Sequence, residues 1–500
     1  MRNYIWILIF FIGTLGYSQE NIFFKRSFWE NKPSIEEVKN NINDINSLTA
    51  LNPNGFDAIV YAILSETPNE TIKHLLTYKG NGVNKRTHDK RTYVFWAAYK
   101  GNIKLMRYLI EKGARMDFKD AHHYSPLTFA AATGQTNKAI YELCMSTGID
   151  IKLDLDERGA NALLLIIPNL KNFELIEFFE KKGLSINDLD ALGNNAINYA
   201  SYSGNIKMIE FLVSKNLAIN VIDSLGNNAT IIGSIGTRRG SNPVAFFQFL
   251  KDLGVKINST NKKGVNPIHN LSYDSKDLAV YRFFEENGVI IDTTDSEGNT
   301  PFINAAKYNN IEVITYLKKK TKEINKVNKK GYSALTNAVE HNTYKIVEYL
   351  IKEGANSKVE DKRGNNLTYY LIKSYDTSQI EDFKNKFNLL LAADLNVSKK
   401  QNNNNSYLHL AVEKNDLNLL KMFQKYPINI NEKNADGLTA LHKAAMTSID
   451  DSILKYLIYI GADKTSKTDF GETAFDLAKD NELLKLNNIN LEFLIEDDKK

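Results

Sequence analysis

The sequence predicts an all-α solenoid, and three observations predict it. A short turn-and-helix motif returns about every 33 residues, an apolar stripe at helical spacing follows most copies, and a glycine closes many of those stripes. With the turn glycine or its substitute as marker, copies fall at Gly55, Lys90, His123, Gly159, Gly193, Gly226, Gly264, Gly298, Gly331, Gly364, Asn404, Gly437 and Gly471, spaced 33 to 40 residues apart. Two short helices cannot bury both their apolar sides alone, so stacking on neighbours must create the core.

Taken in order, the chain begins with a targeting signal. Arg2 is followed by an apolar run at residues 5–12 and by Gly16, Tyr17 and Ser18, which set small residues at the positions a signal peptidase reads. A signal peptide over residues 1–18 is expected, with the mature chain beginning near Gln19. The run is too short for a bilayer-spanning helix, which needs roughly 20 residues, and no cysteine follows it to take a lipid. Residues 19–54 are expected to form an N-terminal capping region. There the pattern predicts an isolated second helix over residues 33–48 leading into the turn at Gly55, with Phe28 and Trp29 closing the end of the core.

Residues 55–485 hold the repeats. The marker glycine sits in a tight turn, where a residue without Cβ takes positive φ freely. Thr or Ser two residues on caps the first helix, and Pro suits its first turn. Alanine pairs such as Ala97-Ala98, Ala130-Ala131, Ala305-Ala306 and Ala444-Ala445 keep that helix thin for its neighbour. The second helix reads as an apolar stripe, clearest at Ile103, Leu105, Met106, Leu109 and Ile110, and again at Ile206, Met208, Ile209, Leu212 and Val213. Gly113, Gly183, Gly254, Gly288, Gly354 and Gly461 then end it with a left-handed cap. Two intervals are longer. One, of 38 residues, holds the Arg238-Arg239 loop; the other, of 40, holds residues 374–378 and the polar tip at 402–405. Residues 486–500 are expected to form a C-terminal cap and a frayed tail, with 483–495 closing the last repeat.

The motif at residues 298–310 (GNTPFINAAKYNN), with its partners at 437–445 (GLTALHKAA), 193–204 and 331–339, resembles the ankyrin repeat family. The resemblance covers residues 34–485 as a divergent array of about thirteen repeats; at the slot before the first helix a complete Thr-Pro pair stands only at Thr300-Pro301. It implies an elongated, curved solenoid of helix-turn-helix units with β-hairpin or turn fingers. It also implies a ring at His269, His409 and His442 that ties the turn to the adjacent repeat. The Asn-, Lys- and Ile-rich composition behind a short leader looks like that of an exported Bacteroidetes-type ankyrin-repeat protein, periplasmic or secreted.

The charges nearly balance, 63 basic against 59 acidic residues, so no electrostatic footprint for nucleic acid stands out. Short lysine runs at 318–320 and 329–330 read as solvated helix ends and turn tips. The single cysteine, Cys144, lies in an apolar pattern and reads as a buried, inert thiol. No phosphate loop, paired-cysteine metal signature or nucleophile elbow occurs, so neither a catalytic residue nor a cofactor or metal site is assigned. Asp223, Asp295 and Asp361, three residues before the turn glycine, are expected to bond the turn backbone.

Function is therefore expected on the surface, as a non-catalytic scaffold that binds a protein partner. In ankyrin arrays the variable positions after the alanine pair face the concave groove. Here they supply Tyr99, Lys100, Tyr202, Tyr273, Lys307, Tyr308, His341 and Lys414 as candidate partner-binding residues, with tyrosines as anchors and the others setting charge. The expected partner is a protein, with no nucleic acid and no stable membrane insertion, and the chain is expected to be a monomer. Two alternatives stay open: tyrosines stacking on a glycan or cell-wall polymer, and an enzyme site in the divergent repeats at 226–260 or 364–404.

Overall fold

The computed structural model describes residues 21–495. The expected leader at 1–18 and the tail at 496–500 lie outside the described residues. The described secondary structure is helical throughout, apart from isolated bridges at Thr237–Gly240 and Lys467–Thr473. The chain gathers into two compact units, one up to Ser224 and one from Leu225 onward.

In the first unit a short helix, Arg26–Glu30, and a second, Ile35–Asn40, precede the repeats. The cap is thus a helix pair, and its second helix is shorter than the 33–48 the sequence suggests. Ser34 and Glu37 form a capping box at its start, and the Asn41 side chain donates to the Glu37 carbonyl at 2.8 Å and ends it. Trp29 is fully buried and donates from Nε1 to the Phe23 carbonyl at 2.9 Å, with Phe28 edge-on to Phe23 at 5.3 Å. Helix pairs follow each marker, from Ala58–Leu64 with Asn69–Leu75 to Ala196–Tyr202 with Ile206–Ser214.

The second unit continues the pattern from Ala229–Ile235 with Val244–Asp252 to Ala474–Asp480 with Glu482–Leu486. A turn of 3-10 helix at Glu492–Leu494 then buries Leu494 against the end of the core. Of the two long intervals, the first adds the tight turn at Thr237–Gly240, tied down by the Asn242 side chain on the Gly233 carbonyl at 2.8 Å. The second spends most of its extra length on helix. Residues 377–379 form a 3-10 turn that runs into the thirteen-residue helix Ile380–Ala392.

All thirteen markers have positive φ, including the non-glycines Lys90 (62°), His123 (60°) and Asn404 (54°). The alanine pairs are fully buried. Apart from the bridge at Lys467–Thr473, the described fingers are turns without strand pairing, and the residue three before the marker ties the turn backbone down with its side chain. Asp361 Oδ1 accepts from the Arg363 and Asn365 N–H groups at 2.8 and 2.9 Å, and Asp295 Oδ1 from Glu297 and Asn299 at 2.9 and 2.8 Å. Neighbouring fingers are joined by single backbone bonds, such as Lys362 N–H to the Lys330 carbonyl at 2.9 Å.

The helix cap also bridges repeats. His409 accepts the Ser406 N–H and hydroxyl at Nδ1 (3.2 and 2.7 Å) and donates from Nε2 to Leu438 O at 2.9 Å. His442 does the same between Thr439 and Ser466 O. In four repeats that lack that ring, asparagine replaces the whole device. Asn228 Oδ1 caps Ile231 N at 3.1 Å, while its Nδ2 donates to Lys256 O at 2.8 Å and to Ser259 Oγ at 2.9 Å. Asn161, Asn195 and Asn366 likewise cap their own helix and reach the next repeat, and Asn266 does so beside a ring, with His269 Nδ1 2.9 Å from its Oδ1. A short side chain with an acceptor and a donor does the work of a hydroxyl and an imidazole together.

Candidate functional site

The candidate residues fall into two groups. Tyr99, Lys100 and Tyr202 belong to the first unit. Tyr99 is 39% exposed with its ring 6.2 Å from Phe129, and Lys100 beside it pairs with Glu66 at 2.5 Å. Tyr202 is only half-exposed. It leans edge-on against Tyr199 at 6.1 Å, and burial pushes its hydroxyl above the ordinary phenol range while Arg158 hydrogen-bonds it. That ring covers its neighbours more than it projects from them.

Tyr273, Lys307, Tyr308, His341 and Lys414 belong to the second unit, and the structure brings four of the five together. Each ends the first helix of its repeat or follows it within three residues, so consecutive repeats present them side by side. Tyr273, Lys307 and His341 line a hollow of about 390 Å³ with Tyr332, Asn304, Asn337, Glu340 and Lys373 among its other walls. Tyr308 and His341 line an adjoining hollow of about 310 Å³ with Phe383 and Lys386, and Glu340 and His341 form the wall the two share. Tyr273 and Tyr308 are 42% and 51% exposed. Lys307 Nζ stands 5.0 Å from the Tyr308 ring centre, and the Tyr308 and His341 rings are 5.4 Å apart.

Glu340 organises this wall. Its side chain is only 8% exposed, and it holds Lys373 Nζ at 2.5 Å and His341 Nε2 at 3.3 Å. The bond to Glu340 raises the Lys373 ammonium above the ordinary lysine range. Burial lowers His341 below the ordinary imidazole range; Glu340 opposes that shift, and Lys307, Lys373 and Lys386 add to it. The ring is therefore neutral at pH 7. Lys414 sits apart from the hollows, half-buried, donating to the Lys373 carbonyl at 2.9 Å.

Sequence reasoning passed over Glu340 as an organiser and Asn304 and Asn337 as walls. Their signal was the recurrent asparagine three residues after the proline slot, where the side chain donates to the preceding repeat: Asn304 to His269 O at 3.2 Å and Asn337 to Ile303 O at 2.8 Å. Among the described residues no cluster of three or more His, Cys, Asp or Glu side chains could hold a metal. No described helix is long and apolar enough to cross a membrane. Cys144 is buried, its thiol pushed up to about 12 by burial.

Comparison with known proteins agrees with this architecture. A model of ankyrin repeats in three copies matches residues 59–154, 237–328, 269–361 and 378–468, more than half of the chain, and a many-copy ankyrin model matches 165–213. The chain belongs to the ankyrin repeat family. It is 34% identical over 108 residues to ankyrin repeat protein L371 of Acanthamoeba polyphaga mimivirus, covering 21% of this chain and 13% of that one. Over 120 residues it is 32% identical to ankyrin repeat protein L271 of the same virus, covering 23% and 16%. Over 70 residues it is 37% identical to protein phosphatase 1 regulatory subunit 27 of Mus musculus, covering 14% and 45%. The chain thus spans less than half the length of each of these relatives.

Proposed function

We propose that the protein is a non-catalytic docking module that holds a protein partner on the face formed by Tyr273, Lys307, Tyr308 and His341. One observation carries this reading: aromatic and charged side chains from successive repeats of the second unit converge on two adjoining open hollows. Rigid exposed aromatics give large contact area at little entropic cost, which suits the centre of an interface. The family and the regulatory subunit among the relatives point the same way, toward a role in interaction without chemistry. Tyr99 and Lys100 extend the proposed surface on the first unit. Tyr202, half-covered, and Lys414, tied to backbone, contribute less.

Export to the periplasm or beyond is part of the same proposal, resting on the amino-terminal pattern. The intact mass of protein recovered from its native host should correspond to a chain beginning at Gln19; a chain retaining Met1 contradicts export by cleavage. The docking reading is tested by Tyr273→Ala with Tyr308→Ala. Retention of partner should fall at least ten-fold while the unfolding midpoint shifts little, and unchanged retention overturns the proposal.

A further inference from the structure

The finger tips of the second unit carry a row of cations. Lys262, Lys263, Lys329, Lys330, Lys362 and Arg363 are all exposed, and among the described residues none of them has an ion-pair partner within 4.0 Å. The spacing of the row is fixed by backbone. Ser296 N–H donates to Lys263 O, Lys329 N–H to Glu297 O and Lys362 N–H to Lys330 O, so four successive fingers follow one another without a gap. One finger breaks the sign: its tip carries Glu297 where the others carry paired bases.

Lys330 and Glu297 also line the larger hollow, which joins this row to the Tyr273 and Lys307 wall. In the hollow Lys373 is already neutralised by Glu340, leaving Lys307 and Lys330 as its uncompensated cations. Six unpaired cations held in register repel one another and favour a bound anion. Neighbouring fingers stand about 10 Å apart at ordinary helix-packing distance. An extended segment in the polyproline-II conformation rises about 3.1 Å per residue with three residues per turn, so it covers that step in three residues and turns every third side chain to the same face.

We propose that this face takes an acidic, extended protein segment whose carboxylates recur every third residue, with one neutral or basic residue in the register opposite Glu297. The inference rests on the docking function proposed above and names the chemistry of the partner. A protein segment fits better than a nucleic acid. Phosphates would meet the Glu297 and Glu340 carboxylates in the same hollow, and the row contains a single arginine, the residue that best grips phosphate.

The test uses the full chain and four twelve-residue fluorescent peptides on a Ser/Ala background. One has Glu at positions 1, 7 and 10 with Lys at 4; the others are its reverse, a scramble of equal charge and an all-acidic version with Glu at 1, 4, 7 and 10. Fluorescence anisotropy should show the first peptide or its reverse binding at least ten-fold tighter than the scramble. Lys329→Gln with Lys330→Gln should erase that preference, whereas Lys319→Gln with Lys345→Gln should leave it within two-fold. Glu297→Lys should turn the preference toward the all-acidic peptide. Bound carboxylate should also raise the midpoint of the His341 ring titration, read by NMR. Equal binding of scramble and patterned peptides overturns the inference, as does a twelve-nucleotide single-stranded DNA that binds more tightly than either. If a protein partner is still retained through Tyr273 and Tyr308 while all four peptides fail, the acidic register alone is wrong; if both fail, the docking function falls with it.

Discussion

Two glycines in consecutive fingers offer a controlled test of how neighbouring repeats hold one another. Gly331 and Gly364 have nearly the same backbone, φ 85° and 83°, yet different surroundings. A Cβ on Gly331 would lie 2.8 Å from Asp361 Cα and 2.9 Å from Lys362 N, whereas a Cβ on Gly364 would meet nothing within 4 Å. Gly364→Ala therefore costs only the left-handed conformation, about 1–2 kcal/mol. Gly331→Ala adds a clash with backbone that cannot rotate away, about 1–3 kcal/mol more on the scale of overpacked sites. The gain from a stiffer unfolded chain applies to both and cancels in the comparison. The clash also falls on the amide that joins the two fingers, Lys362 N–H to Lys330 O at 2.9 Å. Urea unfolding should show Gly331→Ala destabilised beyond Gly364→Ala by about 1–3 kcal/mol, and hydrogen exchange should show the Lys362 amide losing protection in the first variant alone. Equal destabilisation, with Lys362 equally protected in both, would refute finger-to-finger contact as a source of stability.

Three further outcomes follow from buried groups. Burial holds His269, His409 and His442 below the ordinary imidazole range, and at His409 and His442 the Nδ1 atoms already accept hydrogen bonds. The unfolded rings take up protons near pH 6.5 and the folded ones only below it, so the unfolded state holds more protons in that window and stability falls with pH. The urea midpoint should drop between pH 7 and pH 5.5, by less in His442→Asn, and a flat or rising midpoint contradicts this. Asn228→Ala loses both the cap on Ile231 and the bridges to Lys256 and Ser259, and should cost about 2–4 kcal/mol in urea unfolding; a cost below 1 kcal/mol would deny the bridge its role. Cys144, with its thiol pushed up to about 12, should resist iodoacetamide at pH 8 until urea is added, and rapid native labelling would contradict its burial.

Much of the fold was legible because its determinants are local and periodic. The marker position needs positive φ whatever residue occupies it, so even Lys90, His123 and Asn404 could be placed in their turns from spacing alone. The helix-ending glycines were legible for the same reason, Gly113, Gly254 and Gly354 all having φ between 80° and 90°. The asparagine caps were harder to see. Asn161, Asn195, Asn228 and Asn366 look like departures from a Thr-Pro motif, and only the bond from Nδ2 to the following repeat shows that they replace hydroxyl and ring together. The N-terminal cap was misjudged in length because the helix stops at a side-chain bond from Asn41, which periodicity cannot register.

The candidate site was legible by position and not by arrangement. Repeat register placed Tyr273, the pair Lys307 and Tyr308, and His341 at the ends of three successive first helices. Which of them share a hollow depends on Glu340 holding Lys373 and His341, a relation between two repeats that no single motif contains. Tyr202 occupies the same register slot yet packs on Tyr199, because its neighbours leave it half-buried. The lysines at the finger tips seemed ordinary solvated turns one at a time; only the backbone bonds between fingers make them a row.

Docking of a protein on the hollows around Tyr308 is read out by photo-crosslinking in the native host. A benzophenone amino acid is placed at position 308, and in a second strain at position 459, where Tyr459 ends a second helix and is 83% exposed. A discrete protein adduct is expected from position 308, lost on Lys329→Gln with Lys330→Gln, and none from 459. An adduct from 459 without one from 308 would contradict it.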